Sequence, residues 1–126
     1  MIDLVTYKWL HLIGVFLILF AFGSLIFRAA TGVDHPTFSK RRLSIAHGVG
    51  MLLSLVGGFG MLARLGITGG DWPSWVSTKF GIWLALGLMM APVNRAPTRA
   101  ATWWWLILLL VITASFLGLH HSTFGG

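Results

Sequence analysis

The sequence predicts an all-α integral membrane protein, a single four-helix bundle over residues 1–126 with both termini on the same side of the bilayer. Of its residues 56% are apolar and 10% are charged, so the chain holds more apolar side chains than a soluble core of this size can bury. The apolar residues fall in four runs that approach or exceed the ~20 residues a helix needs to cross a bilayer. An even number of crossings returns the chain to the side on which it began.

The four predicted helices cover about residues 5–27, 43–65, 76–93 and 103–121. The connections between them read RAATGVDHPTFSKRR, GITGGDWPSW and NRAPTRAAT, and their Gly, Pro, Asp and Arg residues interrupt the apolar runs. The first run continues into a basic loop without a small-x-small cleavage site, which favours a mature helix over a signal peptide. No connection is long enough to hold a second domain.

Basic residues are concentrated on one side of the predicted bundle. We call side A the side of the two termini and of residues 66–75, and side B the side of residues 28–42 and 94–102. Six of the nine Lys and Arg residues belong to side B, namely Arg28, Lys40, Arg41, Arg42, Arg95 and Arg99. The positive-inside rule then predicts a cytoplasmic side B and periplasmic termini.

The net charge of +6 does not indicate nucleic-acid binding, because the basic residues separate apolar runs, and membrane lipid is the expected partner.

Three histidines and one lysine are predicted to lie at similar depth near side A. His11 lies early in the first helix, and Lys79 opens the third. His120 and His121 end the fourth helix. Each of these residues is also compatible with a plain interfacial role, but ionisable groups inside spans are costly and usually face a site. His121 shares its helical face with small residues at 114 and 118 whereas His120 points toward bulky apolar neighbours, so His121 is the preferred inward metal ligand and His120 the alternative.

The second helix, LSIAHGVGMLLSLVGGFGML, carries a face of small residues that allows two interpretations. The face is either a close helix contact or a smooth wall for a planar macrocycle, in which case Gly57 and Gly58 bind the cofactor. His47 shares this face but lies near side B, too far from His11 to ligate the same metal ion. It is predicted either to ligate a second cofactor, with Met89 or Met90 opposite, or to be a polar partner for Arg28 or Asn94.

Two imidazoles on facing helices, with glycine nearby, are typical of the axial ligands of b-type haem in membrane bundles. The residues therefore predict one or two haems b, held by iron ligands among His11, His121, His47 and His120. Lys8, Arg64 and Lys79 are expected to pair with the propionates. The absence of Cys excludes disulfides, thiolate metal sites and Cys-attached c-type haem. Zinc or copper is less favoured, because no carboxylate lies in a span. The predicted role is electron transfer with an unidentified redox partner.

Three stretches of the chain support a family resemblance. KWLHLIGVFLILFAFGSLIFR, KRRL before the Gly-rich helix, and WVSTKFGIWLAL resemble a broad group of small bacterial four-helix membrane proteins. The group includes HemJ-type protoporphyrinogen oxidases, CopD-like copper-resistance domains and SirB-like proteins. The resemblance implies a bacterial inner membrane and, from the HemJ type, haem or porphyrin binding by His11 and Lys79. The alternatives to a cytochrome are thus a porphyrinogen oxidase and a non-redox protein for copper handling or assembly. His47 and the terminal histidine pair depart from the HemJ type and favour a haem-binding relative.

A homodimer is also predicted, because two histidines lack an evident place within one chain. His120 faces away from the proposed site, and His47 has no certain partner. Two-fold association would bury both, and the second or the fourth helix offers small residues at four-residue spacing for the contact.

Overall fold

The computed structural model describes residues 2–67, 69–95 and 97–120. Within these residues it contains no strand and five α-helices, which are α1 (Leu4–Thr31), α2 (Lys40–Arg64), α3 (Ser74–Leu88), α4 (Met90–Arg95) and α5 (Ala100–Leu119). Because α4 continues α3, these helices form four spans that are long and apolar enough to cross a membrane. The predicted all-α four-helix bundle is confirmed.

Capping residues, rather than the ends of the apolar runs, decide where α1 and α2 begin and end. Asp3 accepts the backbone N–H of Thr6 at 2.8 Å at the start of α1, and Gly32 closes that helix in the left-handed region at φ 71°. Ser39 accepts the backbone N–H of Arg42 at 3.3 Å at the start of α2. Both helices therefore extend past the apolar runs into polar positions at side B.

The third span is interrupted at Met89, which separates α3 from α4. Pro92 lies four residues after Leu88, has no N–H to donate to the Leu88 carbonyl, and crowds that carbonyl with its ring. Helical hydrogen bonds persist on both sides, from Met89 N to Ala85 O at 2.9 Å and from Val93 N to Met89 O at 3.1 Å. The span therefore continues through the interruption.

The most extensive helix contact in the bundle joins α1 to α2. A Cβ on Gly14 would lie 2.6 Å from Gly50 O, and a Cβ on Gly57 would lie 2.7 Å from Tyr7 O. Such a close approach of two backbones requires residues without side chains. Ser54 is buried on the same face of α2. Two interpretations were possible for this face, a close helix contact or a wall for a macrocycle. Gly50, Ser54 and Gly57 form the close helix contact.

The hydrophobic core fills the side-B half of the bundle and leaves the side-A half open. It draws on every span, through Ile18, Phe22, Leu25, Ile26, Leu43, Ile82, Leu86, Met89, Val93, Ala100 and Ile107. Large apolar side chains also cover the outside of the helices; Phe16, Leu52 and Leu88 are exposed there. An apolar exterior suits contact with lipid tails, which are as apolar as these side chains.

Candidate functional site

A cleft of about 640 Å³ lies between α1, α2, α3 and α5 in the side-A half of the bundle. Its walls are almost entirely apolar. The ionisable residues among those that line it are Lys8, His11 and Lys79. The structure thus brings His11 and Lys79, which sequence analysis singled out, to the same cavity.

The His11 ring is held in one orientation by a backbone carbonyl of the neighbouring helix. Its Nδ1 lies 2.8 Å from Ser54 O. Because a carbonyl only accepts, Nδ1 carries the proton and donates it, and Nε2 keeps the lone pair. Metal-ligating histidines commonly have this arrangement, in which a carbonyl on one nitrogen sets the tautomer and the other nitrogen binds. Gly58 lines the cleft beside the ring, where a Cβ would lie 3.6 Å from His11 Nδ1.

Lys79 reaches across the cleft from α3 to the end of α5. A Cβ on Gly118 would lie 2.7 Å from Lys79 Nζ, so the bare backbone at Gly118 makes room for the ammonium group. No carboxylate of residues 2–67, 69–95 and 97–120 pairs with Lys79. Lys8 also lines the cleft and is exposed. Two cations therefore border an otherwise apolar cavity.

Four aromatic rings form one wall of the cleft. Phe80 stacks on Trp83 with centroids 5.6 Å apart and planes at 17°, and Trp72 meets Phe80 edge-on at 5.6 Å. Phe59 of α2 joins them at 5.8 Å from Trp72. The indole N–H of Trp83 donates to Met51 O at 3.0 Å, which fixes this wall to α2. The sequence analysis did not identify this cluster. The available signal was the four-residue spacing of Lys79 and Trp83, which puts Trp83 on the same helix face as Lys79.

His47 lies in the core and does not line the cleft. Its Nε2 donates to Leu86 O at 3.2 Å, and its ring meets Phe22 edge-on at 4.8 Å. The partner of His47 is therefore a carbonyl of α3, not Arg28 or Asn94. Met89, one of its proposed co-ligands, is buried in the same core. The hydrogen bond from His47 joins α2 to α3 and does not favour a second cofactor at His47.

The remaining candidate residues lie away from the cleft or outside the described part of the chain. His120 is exposed, stacks on Phe116 at 4.4 Å and does not line the cleft. Gly57 faces α1, and Arg64 is exposed at the end of α2 and is not a lining residue. His121 lies outside the described residues, so its role as a ligand stays a prediction. Within the described residues, no three His, Asp or Glu side chains come together to hold a metal ion.

Comparison of the chain with models of known protein families, with curated proteins and with solved structures found no match.

Proposed function

We propose that this chain binds one haem b in the side-A cleft, with His11 Nε2 as an axial ligand, and acts in electron transfer in a bacterial inner membrane. The observation that carries the proposal is the hydrogen bond from His11 Nδ1 to Ser54 O in the wall of a large apolar cavity. This bond leaves Nε2 as the basic nitrogen of the ring.

The size and lining of the cleft fit a flat apolar ring system that carries acid groups at its edge. A volume of about 640 Å³ lies within the range of cofactor sites. Aromatic and aliphatic walls suit the macrocycle, and Gly58 leaves space beside His11. The ammonium groups of Lys79 and Lys8 suit two propionates, because ionised partners make the stronger hydrogen bonds. Arg64 is not needed for this arrangement.

Two residues of this chain are candidates for a second iron ligand. His121 is the ligand predicted from the sequence, and it would complete a bis-imidazole site. Met61 lines the cleft, and its thioether is a ligand type found opposite histidine in cytochromes. His47 and His120 are not proposed as ligands, because neither lines the cleft.

The chain's own residues would set the properties of the site. The Ser54 carbonyl orients the imidazole and raises its basicity, since it accepts the Nδ1 proton. The apolar walls exclude water, which lowers the local dielectric around any charge in the cleft. When bound, haem supplies one-electron redox chemistry, whose potential depends on the axial ligands and on burial.

The visible spectrum of the purified full chain tests the proposal. The wild-type protein should show low-spin haem at one haem per chain, and His11→Ala should lose most of it. His120→Ala is the matched control and should keep haem content and spectrum. His121→Ala and Met61→Leu identify the second ligand, because only one of them should convert the spectrum. Unchanged haem content and spectrum in His11→Ala would refute the proposal.

A porphyrinogen oxidase is the second candidate function, favoured by the presence of both His11 and Lys79 in one cleft. These are the two residues that the resemblance to the HemJ type implies. Formation of protoporphyrin from protoporphyrinogen by purified protein supplied with an added electron acceptor, which takes up the six electrons released, would support this function if Lys79→Met loses more turnover than haem. Haem binding without such turnover would favour the electron carrier.

A further inference from the structure

A second cavity, of about 330 Å³, lies at side B, at the opposite end of the bundle from the cleft. It is enclosed by the end of α1, the following loop, the start of α2, and α4. The polar residues that line it are Arg28, Asp34, Lys40 and Asn94, and the neighbouring wall is aliphatic. None of these residues belongs to the proposed haem site.

Arg28 has an unused hydrogen-bond donor in the wall of this cavity. Its Nη1 donates to Asp34 Oδ1 and to Phe38 O, the latter at 3.1 Å. Its Nε is buried and has no hydrogen-bond partner among the described residues. A guanidinium cannot lose its charge in a protein, so a buried N–H without an acceptor is costly. The guanidinium group of Arg28 lines the cavity, where its fixed positive charge can meet an anion.

Lys40 adds a second cation to the same cavity. It is exposed, and no carboxylate in residues 2–67, 69–95 and 97–120 pairs with it. Lys40 is also the first residue of α2, a long helix whose N-terminal end carries partial positive charge. With Asp34 as the one carboxylate in the lining, the cavity has an excess of positive charge. Four further arginines of side B extend this positive field.

We propose that the side-B cavity binds a phosphate group, with Arg28 and Lys40 as charged donors and the Asn94 amide as a further donor. A tetrahedral anion has enough oxygens to meet three donors that approach from different elements. The cavity lies at the ends of apolar spans, where phospholipid headgroups are found. The headgroup of an anionic phospholipid and free phosphate share the required chemistry.

Titration of the full chain in detergent, followed by native mass spectrometry, tests this site. The probes are dioctanoyl phosphatidylglycerol and inorganic phosphate. The wild-type chain should bind one phosphatidylglycerol saturably, and Lys40→Gln should weaken binding at least about tenfold, as for the loss of one charge-assisted hydrogen bond. Arg41→Gln is the matched control; it removes the same charge one residue away, outside the lining, and should change affinity less than about twofold.

Asp34→Asn distinguishes a ligand site from a purely structural ion pair. If Arg28 and Lys40 form an anion site, loss of the carboxylate removes repulsion and should tighten binding several-fold. Displacement of the lipid by inorganic phosphate would show that the phosphate group alone is recognised, and failure to displace it would assign the site to lipid. Absence of saturable binding by either probe, equal effects of Lys40→Gln and Arg41→Gln, or weaker binding in Asp34→Asn would each overturn the proposal.

Discussion

Gly57 and Gly58 are neighbours in α2 but have different surroundings, and this difference predicts opposite responses to alanine. A Cβ on Gly57 would lie 2.7 Å from Tyr7 O and 2.8 Å from His11 Cα, and these backbone atoms cannot rotate away. A Cβ on Gly58 would lie 3.6 Å from His11 Nδ1, which is ordinary contact. Gly57→Ala should therefore destabilise the protein by about 1–3 kcal/mol, the usual cost of overpacking.

Gly58→Ala is the matched control for Gly57→Ala. It should leave stability unchanged or raise it by less than about 1 kcal/mol, since alanine is the better helix former. Thermal unfolding of both variants in the same detergent measures the difference. Equal melting temperatures would contradict the packing of α1 on α2. Because α1 carries His11, the Gly57 variant should also lower haem content.

The loop between α1 and α2 is tied to the end of α1 by an ion pair that should respond to pH. The hydrogen bond from Arg28 and its positive charge lower the pKa of the Asp34 carboxyl. A depressed pKa in the folded state means that the pair contributes stability above the ordinary aspartate value of about 3.9, and that this contribution is lost as pH falls through the folded pKa. Asp34 is exposed, so the contribution is small.

Carbon NMR of the Asp34 carboxyl in the full chain measures this pKa directly. The titration midpoint should lie below about 3.9, and it should rise to the ordinary value in Arg28→Gln. A midpoint of Asp34 that does not change in Arg28→Gln would show that the ion pair does not form in solution.

Orientation in the membrane is a property of the whole molecule, and the concentration of basic residues at side B predicts it. Six Lys and Arg residues lie at the side-B ends of the helices or in the side-B loops, so side B should be cytoplasmic. Alkaline phosphatase fused to the C-terminus should be active, and a fluorescent protein inserted in the loop at residues 33–38 should be bright. The reverse pair of results would invert the orientation.

Association of two chains is the second prediction at this scale. His47 no longer supports it, because Leu86 O already provides its partner. Gly50 and Ser54 cannot form the contact either, because both are buried on the face of α2 that meets α1. A dimer would therefore use another surface, and His120 beside Phe116 on α5 is the exposed candidate. A mass of two chains with haem bound, reduced to one chain in Phe116→Ala, is the expected result; a wild-type mass of one chain contradicts it.

The apolar runs alone predict the number and approximate position of the helices. In lipid, the backbone N–H and C=O groups of a spanning segment must find hydrogen-bond partners within that segment. Four long apolar runs with few charges therefore predict four helices. His11 and Lys79 can also be identified from the sequence, because an ionisable residue in an apolar run is conspicuous without any knowledge of its neighbours. The end of α1 and the start of α2 differ from the predicted bounds by three to four residues, because the caps Gly32 and Ser39 lie outside the apolar runs.

What each candidate residue touches depends on how the helices pack against one another. Periodicity puts a residue on a face of its own helix, but the rotation and offset of two helices depend on side-chain packing across their contact. For this reason the sequence could not separate Gly57, which meets α1, from Gly58, which borders the cleft. It also could not find the Ser54 carbonyl beside His11 or the Leu86 carbonyl beside His47, because every residue has a carbonyl and only proximity selects one.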